Sequence, residues 1–229
     1  MSHVHVIHQL LEQLVRTLGE AERDETVGPV NVLLQRLLVH SMHPSDCALI
    51  VRSAEWPVVI ESTCNALRRP LSSAGDATVF CLKAVSLVCN VCVFEDIRPH
   101  VGADALLELC FVALRVFPTV KRLVHLTLST IANIALCGGV SLARSDATCL
   151  IRSLARMYQE GPVAEAWCTA VCNLAGSTGA NLNVLVEHNA VEQVQRLLLF
   201  HGDSERVVAR GIQTLSCLCA AHLPVEAES

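Results

Sequence analysis

A polar residue recurs inside otherwise apolar helical stretches at a nearly constant interval, and that recurrence constrains the fold more than any other feature. "SLVCNVC" (86–92), "STIANIA" (129–135), "TAVCNLA" (169–175) and "QTLSCLC" (213–219) align on Asn90, Asn133, Asn173 and Ser216. The anchors are 43, 40 and 43 residues apart. An interval near 42 is the length of a stacked supersecondary unit, each copy covering the apolar face of the next. The same recurrence settles how the Cys89-x-x-Cys92 of the first copy is read. Equivalent slots hold Ala132 and Ala135, then Cys172 and Ala175. A slot that alternates Cys with Ala selects a small apolar side chain at a helix contact. Both sulfurs are expected in packing. A zinc site would need two further converging ligands, and the sequence offers no second Cys-x-x-Cys.

The alignment extends upstream. Asp146 and Asn189 each lie 27 residues before their anchors, and Ala147/Ala190, Thr148/Val191, Ile151/Val194 and Leu154/Leu197 then match at helical spacing. Asp146 and Asn189 are expected at helix starts after a tight bend. Gly161-Pro162 separates two helices of the third unit, Pro118 two of the second, and stops are expected at Gly138-Gly139 and Gly176. A shorter helical piece, 182–187, precedes the two longer helices of the last unit. The first unit is the loosest, its "WPVVIESTCNALRR" being followed by an odd linker, "PLSSAGDATV" (70–79). The expected organisation is an N-terminal helical cap over 1–44, four units (about 45–97, 98–139, 140–179 and 180–222) and a polar tail over 223–229. The cap reads as two amphipathic helices, "VHVIHQLLEQLVRTLG" and "VGPVNVLLQRLLVHSM", about the charged turn "EAERDE".

A short first helix followed by two longer ones, with "NAVEQVQRLLL" leading to "VVARGIQTLSCLC" and with "CTAVCNLAG", resembles the armadillo repeat. The three-helix spacing and the polar anchor disfavour the related HEAT array. The resemblance implies an all-α chain, a right-handed α-solenoid of three-helix repeats whose third helices line a concave groove. It further implies anchor amides that clamp the backbone of an extended peptide. On that reading the groove residues are Asn90, Asn133 and Asn173, with Ser86, Ser129 and Thr169 four residues before them. In the karyopherin-alpha branch a tryptophan stands at each of those −4 positions; here they are hydroxyl residues, and Trp167 lies six before its Asn. A receptor for basic localisation signals is therefore not expected. The residues alone leave a second reading open, in which each amide bonds internally at the junction between units.

Composition bounds the function classes. The chain has 229 residues, 52% hydrophobic and only 3% aromatic, so its core is built from Leu, Val, Ala and Cys. A net charge of −5 gives no support for nucleic-acid binding. Mean hydropathy is +0.46, but the best apolar run, 79–94, is interrupted by Lys83 and Asn90 and is shorter than a spanning helix needs. No membrane insertion is expected. Twelve scattered cysteines without a signal peptide suggest reduced thiols in a cytoplasmic, or nuclear, protein. His3, His5 and His8 in "HVHVIH" read as the polar start of a helix, and His40 and His43 as residues flanking a helix end. No catalytic motif, cofactor or metal site is expected. The expected function is a non-enzymatic adaptor for a protein or peptide partner. Its rivals are a structural subunit, homo- or hetero-oligomeric, held through exposed repeat ends, and a thiol- or metal-dependent enzyme using Cys89 and Cys92.

Overall fold

The computed structural model describes residues 3–220, apart from the side chain of Glu22; the expected tail over 223–229 lies outside them. Among the described residues the chain is all-helical. The helices are α1 (His3–Asp24), α2 (Gly28–His40), α3 (Pro44–Arg52), α4 (Glu55–Arg68), α5 (Ala74–Val93) and α6 (Ala103–Val116). They continue with α7 (Lys121–Ala135), α8 (Arg144–Met157), α9 (Gly161–Ser177), α10 (Gly179–Glu187), α11 (Ala190–Phe200) and α12 (Glu205–Cys219), and a 3-10 turn covers Arg98–His100.

Packing between helices apart in sequence runs along two successions. α2 packs on α5, α5 on α7, α7 on α9 and α9 on α12; alongside, α1 packs on α4, α4 on α6 and α6 on α8. Small residues in the anchor helices permit this. Cys81, Ala84, Val85 and Val88 on α5, and Ala164, Cys168, Ala170 and Val171 on α9, are buried. Each offers little side chain to hold neighbouring backbones apart. The two tryptophans stitch elements 17 and 45 residues apart in sequence: Trp167 Nε1 donates to the Leu150 carbonyl at 2.9 Å, and Trp56 Nε1 to that of Val101 at 3.3 Å. α1 and α2 take part in the same succession, burying Leu11, Leu14 and Leu18, and Leu34 and Leu37.

Three local expectations are corrected. The "odd linker" is mostly helix: Ser73 caps α5 by accepting from the Asp76 N–H, so α5 begins at Ala74. Residue 76 is in its first turn, where a carboxylate also suits the helix dipole. Asp146 does not cap α8. Ala143 precedes that helix, and Asp146 sits in its first turn, ion-paired to Arg115 of α6. Gly176 does not stop α9, which runs on to Ser177. Asn189 does stand at the start of α11, in the left-handed region at φ 63°, and Gly138 and Gly139 follow α7 at φ 79° and 68°. By length and composition α5 meets the criterion for a membrane span (mean hydropathy 1.7), longer than the run read from sequence. Here its apolar side chains pack against α2 and α7.

Candidate functional site

The three anchor asparagines lie in the last or next-to-last turns of α5, α7 and α9, and each sends its amide nitrogen back to the preceding helix of the succession. Asn90 Nδ2 donates to Ser41 Oγ, just past α2, at 2.8 Å. Asn133 Nδ2 approaches Cys89 Sγ at 3.7 Å, and Asn173 Nδ2 donates to the Ala132 carbonyl at 2.9 Å. Cys89 and Ala132 are each the residue before an anchor, so the last two contacts reach the same position, one at a side-chain sulfur and one at a backbone carbonyl. Ser216 is too short to reach back and donates instead to Ile212 within α12. The junction reading thus accounts for one N–H of each amide. The acceptor half remains: no described residue donates to the three Oδ1 oxygens, and none of them is sealed from solvent.

The hydroxyls four residues before the anchors behave uniformly. Ser86 donates to the Leu82 carbonyl at 2.7 Å, Ser129 to His125 at 3.0 Å and Thr169 to Glu165 at 2.9 Å. Their protons are committed to their own helices, which leaves oxygen lone pairs outward. A groove of about 260 Å³ joins Ser129 and Asn133 of α7 to Thr169 of α9. His125, Glu165 and Arg206 also line it, with the Arg206 guanidinium 3.0 Å from the Glu165 carboxylate. Ser86, Asn90 and Asn173 are outside this groove. Trp167 is fully buried, bonded to α8, and does not line it.

The sulfurs face neighbouring helices. Cys92 is fully buried, and its thiol is pushed well above the ordinary value by a hydrogen bond with Cys137 and by burial. Cys89 is half-buried and receives Asn133. Cys172 Sγ lies 3.1 Å from Cys217 Sγ, again between consecutive helices of the succession.

One functional kind of contact escaped sequence reasoning. The third unit has no short first helix; a stretch ending at Leu142 stands in its place. Asn181 of α10 clamps it, accepting from the Leu142 N–H at 2.8 Å and donating to the Val140 carbonyl at 2.8 Å. A primary amide here reads both polar groups of a backbone segment, the chemistry expected of the anchors. Asn181 has no counterpart in the other units, so a search for recurrence passes over it. No family model, curated protein or solved structure matches this chain.

Proposed function

We propose that the chain is a non-enzymatic interaction module that takes an extended segment of a partner protein along its anchor helices. The architecture proposed with it is a right-handed α-solenoid of four armadillo-like repeats behind an N-terminal helical pair. The packing successions, with their repeated backward amide bonds, support it. The observation that carries the function is the groove at Ser129, Asn133 and Thr169, on whose floor two hydroxyl oxygens and one amide oxygen are left as acceptors. Such a floor matches the N–H edge of an extended chain, where groups facing one way recur about every 6.6–7 Å. Arg206 and His125 at its rim match an acidic or carbonyl-bearing neighbour. A buried thiol held protonated at Cys92 is a poor nucleophile, which weighs against the thiol-enzyme alternative. The twelve unpaired cysteines agree with residence in the cytoplasm or nucleus.

The test is selection of binding peptides on the intact chain, followed by N-methylation of each peptide amide in turn. One or two methylated positions should lose binding about tenfold, each N–H bond contributing on the order of 0.5–1.5 kcal/mol. The same loss should follow from Asn133→Ala but not Asn133→Asp, which keeps the acceptor. Affinity per folded molecule unchanged in Asn133→Ala and Thr169→Val would sink the groove.

One observation favours a second reading, a subunit buried through its end. Leu199, Phe200 and Ile212 on α11 and α12 are 86%, 53% and 55% exposed, an apolar surface of the kind that marks contacts. Sedimentation of the wild type against Leu199→Glu tests its homo-oligomeric form: self-association abolished by the change supports it, and a monomer in both cases removes that form.

A further inference from the structure

Three elements that are distant in sequence bring metal-ligating groups together beside the first unit. His3 opens α1, His40 closes α2, and Asp46 stands in the first turn of α3. One ligand atom from each of His3, His40 and Asp46 lies within 4.8 Å of the other two. The two distances to the carboxylate oxygen are 2.8 Å from His40 and 3.7 Å from His3. An ion held tetrahedrally at about 2.0–2.1 Å places its donor atoms about 3.3 Å apart, and the observed pair brackets that spacing. The imidazoles meet edge-on, at 86° with centroids 6.0 Å apart, so they approach the carboxylate in different planes. The carboxylate is nine-tenths buried and His40 four-fifths buried, whereas His3 is 80% exposed. Two ligands are therefore fixed by the fold, and the third closes over them from the start of α1.

A second group on the same helix differs in these respects. His8 lies between Glu12 and Glu55, at 3.3 and 3.6 Å, and both it and Glu12 are more than half exposed. Glu55 is also taken by the Ser53 hydroxyl. Its single imidazole and committed carboxylate make it a useful control.

We propose that His3, His40 and Asp46 bind a divalent transition-metal ion, with zinc the occupant, through three protein ligands and a fourth position held by water. Two imidazole nitrogens and one carboxylate oxygen suit zinc and its neighbours rather than calcium or magnesium, which prefer all-oxygen shells. On binding, the ion takes the place of the hydrogen between His40 Nδ1 and Asp46 Oδ2, and the neutral imidazole then carries its one N–H at Nε2. The ion pins the first turn of α1 to the junction between α2 and α3. The open fourth position can accept a side chain from a bound partner.

The test uses the intact chain, kept reduced, titrated with Co²⁺ and then back-titrated with Zn²⁺. The expected result is one equivalent of Co²⁺ with visible bands of tetrahedral nitrogen and oxygen ligation, no thiolate-to-metal charge-transfer band, and complete displacement by Zn²⁺. His3→Ala should weaken binding about tenfold or more. Asp46→Asn should abolish the first equivalent, and His8→Ala should leave it unchanged. Because the His3 side chain is largely exposed, its removal reports on binding even if Asp46→Asn disturbs folding. The proposal is overturned by any of three results: no stoichiometric uptake, a thiolate band within the first equivalent, or equal affinity in wild type and His3→Ala.

Discussion

Asn173 and Asn133 hold equivalent places yet make bonds of different quality, and the difference is measurable. Asn173 reaches a backbone carbonyl at 2.9 Å, whereas Asn133 reaches only a sulfur at 3.7 Å, a weak acceptor. Asn173→Ala should therefore cost about 1 kcal/mol of stability and Asn133→Ala less than half as much, read by chemical denaturation. Equal losses would show that the backward bond is not what stabilises the junction. The buried thiols give a second residue-scale expectation. Burial pushes Cys81 and Cys168 up to about 12, from the usual 9.0. The unfolded chain releases these protons from about pH 9, while the folded chain holds them until about 12. Their release thus favours unfolding: this stability is complete below pH 9 and is lost as pH rises through the interval. The melting temperature should fall between about pH 9 and 11 more steeply in wild type than in Cys81→Ala with Cys168→Ala. In native protein at pH 8, exposed Cys219 should be alkylated while Cys81 and Cys168 are spared.

At the scale of elements, Asn181 and the Val140–Leu142 stretch make the sharpest expectation. Asn181 is 1% exposed and donates also to Ser177 Oγ at 2.9 Å, so both its N–H groups and its oxygen are engaged within the fold. Asn181→Ala would leave a buried N–H and a buried carbonyl unpaired, at about 1–3 kcal/mol each. Asn181→Asp keeps only the acceptor and should recover part of the loss. Thermal unfolding and amide exchange at Leu142 would check this; exchange unchanged in Asn181→Ala would show that other contacts hold the stretch. Ion pairs between elements distant in sequence, such as Arg68–Glu108, Lys121–Glu160 and Arg144–Glu187, are at least partly exposed. Each adds little to stability at physiological salt.

For the whole molecule, α1 and α2 are the elements whose removal is most informative. α1 covers α4 and α2 covers α5, so deletion of residues 1–44 bares Val59, Ile60 and the apolar flank of α5, all now buried. The shortened chain is expected to aggregate or to melt at a clearly lower temperature, measured by light scattering and circular dichroism. A stable monomer would show that the pair has another task. Because each helix contacts mainly its neighbours, losses at distant units should add. The Asn181 and Asn173 changes share a neighbourhood and should couple, whereas either should be additive with a change on α1.

The helices themselves were legible in the chain, because apolar periodicity and Gly/Pro punctuation are local signals. The interval near 42 residues also puts Asn90, Asn133 and Asn173 at matching places in successive helices, since equivalent positions must meet equivalent surroundings. It likewise assigned Cys89 and Cys92 to packing, through Ala132 and Ala135 in the same slots. What recurrence could not supply was direction. Whether an anchor amide turns to the junction or to solvent depends on how closely neighbouring backbones approach, and the fold sends the nitrogen inward and leaves the oxygen outside. The start of α5 at Ala74 rested on one side-chain cap, which the surrounding Ser, Gly and Pro residues disguised as a linker. Asn181, and the meeting of His3 with His40 and Asp46, repeat nowhere in the sequence. They arise only where helices distant in the chain are packed together, because a contact between unlike elements leaves no periodic trace.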